Sequence, residues 1–245
     1  MLATFCLRLA CGLIASLLLF SPRLVNPRFF RVHFLAALGL VACAFLFPQQ
    51  SYGRIAGTIL AIAAISCFVG SVLWSLERAK GRLATVIVAF LALAAAVALV
   101  PDMDLSFASL ATAYSSAALL GTATTAMLMG HSYLIAPAMS LTPLLNLLRG
   151  LFAAAAIRMA VSAVELWSWT ASHWPVRLED ETVLLLPVRW GVGLFGPLIL
   201  GYMAWRAAKI RSTQSATGIL YVLVIWCFLG ELLSQLLAAT SHYYL

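Results

Sequence analysis

The feature that most limits what this chain can become is a series of apolar runs too long for a soluble fold. Eight of them, at 2–20, 32–48, 54–76, 83–100, 105–136, 145–169, 184–205 and 217–240, take up most of the 245 residues. A hydrocarbon core about 30 Å thick is crossed by about 20 apolar residues in a helix. Backbone polar groups find no water there, so only helices and closed barrels span it. The runs are continuous, where a barrel would need short segments of alternating polarity, and this selects helices. Composition agrees, since 64% hydrophobic and 9% charged residues cannot all be accommodated in one globular core. The expected fold class is all-α: an integral membrane bundle of about eight transmembrane helices, one polytopic domain over 1–245. The first run is read as a retained helix, because Arg23, Arg28 and Arg31 follow it and no A-x-A-like cleavage site is evident.

Charge in the connectors sets an orientation. The first, third and seventh carry Arg23, Arg28 and Arg31; Arg78, Lys80 and Arg82; and Arg206, Lys209 and Arg211, with Arg149 at the edge of the fifth. The opposite connectors hold Arg54, Arg177 and Arg189, together with Asp102, Asp104, Glu179, Asp180 and Glu181. Ten basic residues against three is a positive-inside signal. It puts both termini outside, which in the inner (cytoplasmic) membrane of a bacterium means the periplasm. The same asymmetry accounts for the net charge of +7 without a nucleic-acid partner. The five cysteines (Cys6, Cys11, Cys43, Cys67, Cys227) fall inside apolar runs with no CxxC spacing and read as small buried hydrophobes.

Ionisable residues inside a membrane are costly and mark functional sites by default. Four remain once the connectors are assigned: Arg8, Arg158, Glu165 and Glu231. Arg158 falls near the middle of its helix and the other three in the outer half, which makes a charged cluster towards that side. Arg158 and Glu165 share one helix face, about 10 Å apart at 1.5 Å per residue. Two readings stay open. In one, Arg158 pairs with Glu231 to fix the packing while Arg8 snorkels to the interface. In the other, the cluster is a proton and quinone site: Arg158 holds an anionic oxygen and Glu165 or Glu231 takes the proton.

Histidines divide by depth. His173 and His242 belong to the outer surface, whereas His131 and His33 fall towards the cytoplasmic side. Two histidines on two helices are what bis-histidine haem b ligation requires. Against this, the neighbours of His33 (Arg31, Val32, Phe34) suggest an interfacial anchor. His131 then becomes a polar element of a central packing helix, sharing a face with Thr124 beside Gly130. That helix, GTATTAMLMGHSY, is expected to turn its polar side inward and to end at Pro137 and Pro143. Trp167, Trp169, Trp174 and Trp190 outside, with Trp74 and Trp205 inside, form an aromatic belt. The connector with His173, Trp174 and Glu179-Asp180-Glu181 is a solvated loop or a docking point for a periplasmic partner.

The stretch GELLSQLL, Gly230 to Leu237, resembles the G-E-[LIV]-x-G-R-type end of the NrfD/DmsC/PsrC polytopic anchor subunits, with Ser234-Gln235 standing where that pattern has Gly-Arg. The resemblance implies an eight-helix, quinol-handling membrane subunit with outside termini and an iron–sulfur partner, in which Glu231 is the motif glutamate. The expected function is a quinone-facing or structural membrane subunit of a respiratory or photosynthetic electron-transfer complex. It would contact lipid and other membrane and periplasmic subunits. A small transporter or channel component, or a lipid-binding scaffold, is the alternative.

Overall fold

The computed structural model describes residues 1–47, 53–76, 81–99, 105–136, 139–172 and 185–240, and among these the only regular structure is helical. Eight helices follow one another: α1 (Leu2–Ser16), α2 (Pro27–Leu46), α3 (Arg54–Leu73), α4 (Arg82–Leu99), α5 (Phe107–Ile135), α6 (Thr142–Ser172), α7 (Leu185–Lys209) and α8 (Thr213–Thr240). Seven are long and apolar enough to cross a membrane. The other is α5, which at 29 residues is about 43 Å long and is limited only by its hydroxyls. Its Thr112, Ser115, Ser116, Thr122 and Thr125 are buried. A helix enclosed by protein has no need to match lipid, and α5 is enclosed on three sides by α1, α6 and α8.

Several boundaries differ from the sequence expectation for identifiable reasons. Asn26 caps α2 through its side chain, accepting from the Arg28 N–H, and Pro27 occupies a first-turn position. The helix therefore begins at Pro27, not 32, and Arg28 and Arg31 lie on it. Pro143 opens α6 from its first turn and is not a terminator of α5, which ends at Ile135. The α1 run tightens into a 3₁₀ turn at Leu17–Leu19. Pro48, Gln49, Arg78, Lys80, Asp102, Asp104, Pro137, His173, Trp174, Arg177, Glu179, Asp180, Glu181 and His242 lie outside the described residues.

Neighbours in sequence run antiparallel. Phe34 of α2 meets Gly70 of α3 while Phe30 stacks on Trp74, with ring centroids 4.0 Å apart. Trp74 is thus a buried packing residue, not part of a belt. The Arg82 guanidinium lies over the Trp74 ring, 5.7 Å from its centroid. The start of α1 lies beside the end of α8, where Phe5 and Phe228 meet edge-on at 5.1 Å. The outward-facing surface is apolar, with Ile55, Phe107 and Ile135 all more than three-quarters exposed, as expected of a wall facing lipid.

Two pairs of glycines bring helices to backbone contact. A Cβ on Gly121 of α5 would fall 2.0 Å from the Gly12 carbonyl carbon of α1. A Cβ on Gly193 of α7 would fall 2.6 Å from the Gly230 Cα of α8. Neither position has room for a side chain, and such small-residue contacts are how membrane helices gain dispersion energy without a hydrophobic drive. Gly121→Val should force α1 and α5 apart and cost at least the roughly 1–3 kcal/mol of core overpacking. The check is a lowered melting temperature in detergent, together with a loss of monodisperse protein.

Candidate functional site

One polar layer crosses five helices near the end of the bundle that holds the start of α1. Its hub is Glu231, on α8 and 3% exposed at the side chain. Arg8 of α1 donates from Nη1 to Glu231 Oε1 at 2.6 Å, and Gln235, one turn further along α8, donates from Nε2 to the same oxygen at 2.8 Å. Ser116 of α5 donates to Oε2. Three donors from three helices thus converge on one carboxylate, which satisfies the requirement that a buried charge be paired and hydrogen-bonded.

Arg158 of α6 lies in the same layer and is also buried, but it does not pair with Glu231. Its Nη2 donates to Ser234 Oγ at 3.1 Å. The expected partners are therefore exchanged: Arg8, read as snorkelling, is 6% exposed and makes the ion pair, while Arg158 makes a hydroxyl contact. The cause is position on the helix. Glu231 and Ser234 lie three residues apart on one side of α8, and Arg8 from α1 and Arg158 from α6 each reach one of them.

Glu165, two turns beyond Arg158 on α6, is only half-buried. Thr112 of α5 donates to its Oε1, and its Oε2 has no hydrogen-bond partner among the described residues. The two carboxylates are thus unlike. Glu231 is enclosed and engaged on both oxygens, whereas Glu165 has one oxygen that is buried without a hydrogen-bond partner among the described residues, on a helix stretch whose Val164 and Trp167 are exposed.

A fifth ionisable residue belongs to the layer. Arg189, read as a connector residue, is 1% exposed and lies inside α7, where its Nη2 donates to Ser162 Oγ of α6 at 3.0 Å. Local helix geometry makes this burial possible. Residues Arg189–Phe195 form a π-helical turn, in which the Gly196 N–H reaches the Gly191 carbonyl five residues back. Pro197, which has no N–H to give the Gly193 carbonyl, disfavours regular α-helix there. Along a regular helix a stripe spaced by four residues drifts about 40° at each step. The widened turn takes that drift back, so Arg189 and Gly193 remain on the inner face with Pro197, Gly201, Ala204 and Ala208. The available signal was GVGLFGPLILG, a run of glycines ahead of a proline. Such wide turns are frequent at functional sites.

Between these helices is a cleft lined by Ser116, Arg158, Arg189, Gly193, Gly230 and Glu231, with Leu119, Leu120, Leu194 and Cys227 on its apolar walls. It has room for little more than a water-sized body, so an aromatic ring cannot enter it.

The histidines lie elsewhere. His131 is exposed on the bundle surface, not turned inward, and Thr124 instead closes on its own helix through the Leu120 carbonyl. Gly130 does mark a close approach, to Thr217 of α8. His33 is fully buried, and so is no interfacial anchor. Its Nδ1 lies 2.8 Å from the Phe29 carbonyl and its ring packs on Phe29 at 4.3 Å. The two rings therefore have different surroundings, one enclosed and one open. Among the described residues no group of three or more His, Cys, Asp or Glu is arranged to hold a metal ion, and the five cysteines are free thiols.

Comparison of the chain with family models, with curated proteins and with solved structures returns no match. The layer is read from its own chemistry.

Removing one partner of a buried ion pair leaves the other charge uncompensated, at a cost of about 3–5 kcal/mol. Arg8→Leu should therefore lower the melting temperature sharply. The double variant Arg8→Leu/Glu231→Leu should recover part of that loss, which a thermal-unfolding double-mutant cycle will read.

Proposed function

We propose that the chain is a quinone-facing membrane subunit of an electron-transfer complex, and that Glu165 is the residue that exchanges protons with the quinone. The observation that carries this reading is the difference between the two carboxylates. Glu231 has no free oxygen with which to receive a proton. Glu165 has one, at Oε2, while Thr112 steadies the other. Oε2 itself is covered by protein, while Val164 and Trp167 on the same stretch of α6 offer an exposed apolar surface on which a ring dissolved in lipid can rest; a rotation of the Glu165 side chain would bring the carboxylate to the hydroxyl of that ring. Quinol oxidation releases two protons and two electrons. Glu165 would take one proton and release it to water at the outer surface before taking the second, and the electrons would pass to a cofactor held by a partner subunit. A carboxylate within hydrogen-bond reach of the hydroxyl meets the geometric requirement for a general base.

The water-sized cleft narrows the part played by Arg158, which lies too deep to contact a ring and acts on Glu165 through its charge. Further support comes from the resemblance of GELLSQLL to the NrfD/DmsC/PsrC anchors and from the near absence of mass outside the apolar helices. Haem ligation gains no support, since His131 faces outward and His33 is engaged with Phe29. Burial of Arg189 strengthens the orientation argument by taking one basic residue away from the sparsely charged side. The reading places the Arg23, Arg28, Arg31, Arg82, Arg149, Arg206, Lys209 and Arg211 end in the cytoplasm of a bacterial cell and both termini in the periplasm.

Two outcomes are expected. In native membranes complemented with Glu165→Gln, quinol-dependent turnover should fall by about 100-fold, within the range for loss of a general base, with the melting temperature of the subunit unchanged. Unchanged turnover would remove the quinone role, and transport of a solute by the purified chain in vesicles would favour the transporter alternative. For orientation, alkaline phosphatase fused after the C-terminus should be active and a fluorescent protein there should be dark; the reverse pattern inverts the topology.

A further inference from the structure

We propose that Arg158 anchors a binding site for one small monovalent anion of halide size, seated in the cleft between α5, α6, α7 and α8. Arg158 is 3% exposed, and its guanidinium stays charged at any pH the protein meets. Its one hydrogen bond goes to the neutral hydroxyl of Ser234, and no carboxylate of the described residues lies within ion-pairing distance of it. Its Nη1 has no hydrogen-bond partner among the described residues. A buried cation left with a single neutral partner is among the costliest arrangements inside a membrane.

The carboxylates of the layer, Glu231 and Glu165, attract Arg158 only through space, and neither gives Nη1 a hydrogen bond. Glu231 gives Oε1 to Arg8 and Gln235 and Oε2 to Ser116, so its charge is committed to Arg8 at 2.6 Å. What Nη1 lacks is an acceptor, and the layer sets three cations, Arg8, Arg158 and Arg189, against two carboxylates, Glu165 and Glu231; an anion in the cleft that Arg158 lines would supply both the acceptor and the balancing charge. The size of that space selects the ligand. A water-sized body fits, and halides are the monovalent anions of about that size; sulfate, phosphate and lipid headgroups are too large. A second guanidinium, Arg189, lines the same cleft, as does Gly193, which packs directly on the Gly230 backbone. The site does not depend on what Glu165 exchanges protons with, so the quinone reading and this one can fail separately.

The test uses the full-length protein purified in detergent in sodium gluconate, titrated with chloride or bromide at constant ionic strength. Equilibrium dialysis against radiolabelled chloride should show saturable binding of one anion per chain. The melting temperature should rise with the same concentration dependence, because a ligand that binds only the folded state stabilises it. Sulfate should produce neither effect. Arg158→Gln should weaken binding by about tenfold or more. If that variant does not fold, Cys227→Leu, which adds apolar volume to the cleft wall without altering a charge, should abolish binding while Cys227→Ala retains it. Absence of saturable chloride binding by the unaltered protein would overturn the proposal and leave water as the partner of Nη1. Full binding by Arg158→Gln, or by Cys227→Leu, would overturn it as well.

Discussion

A carboxylate buried among membrane helices can persist as a charge only if donors meet it from several sides, and Glu231 is met from three. Arg8 reaches it from α1, Ser116 from α5 and Gln235 from its own helix. Desolvating two charges costs several kcal/mol per ion even after relaxation, so the pair contributes little net stability. What it contributes is register. Exchanging any neighbour of Glu231 for a residue one turn away would leave a buried charge without its partner, a penalty that no amount of apolar packing between smooth helices would impose. The ion pair therefore ties the first helix to the last, across 223 positions of sequence, at one depth.

The glycine contacts serve the same layer. Gly12 follows Arg8 by one turn and meets Gly121, little more than a turn beyond Ser116; Gly230 precedes Glu231 and meets Gly193, one turn from Arg189. Backbone contact at these two crossings brings the short hydroxyl of Ser116 within reach of Glu231. In lipid, where apolar side chains gain little by leaving their surroundings, close approach and satisfied polar groups are the sources of specificity. Here the two coincide along α5, whose hydroxyls make it the least lipid-like helix and whose neighbours shield it.

Much of this was legible in the residues. Apolar runs located all eight helices, and depth along them predicted that Arg8, Arg158, Glu165 and Glu231 share a layer. Which cation pairs with which anion was not legible, because at equal depth the choice depends on helix rotation, and rotation is fixed by contacts such as Gly12 on Gly121 that no single helix encodes. Arg189 was missed for a related reason. Four residues into a helix, it sits where a connector and a buried turn look alike, and its burial depends on a wide turn that a regular 3.6-residue period does not describe. His131 erred the other way: on a helix with so many buried hydroxyls, one polar face was assumed, yet at this level Met129, Gly130 and Tyr133 take the enclosed side of α5 and His131 falls on the exposed one.

The layer also separates two roles that a glance at its charges would merge. A carboxylate held by three donors is suited to hold helices in place and unsuited to exchange protons, since each protonation would break the contacts that define it. A half-buried carboxylate with a single hydroxyl donor is suited to the opposite task, and Glu165 stands at the edge of the same layer, where the bundle wall meets lipid. Arg158 lies between them on the face of α6 that also carries Glu165. Its position lets it influence the outer carboxylate through space while remaining part of the inner framework. The two glutamates, one turn apart along α5 by their donors Thr112 and Ser116, thus differ in how many donors each helix crossing delivers.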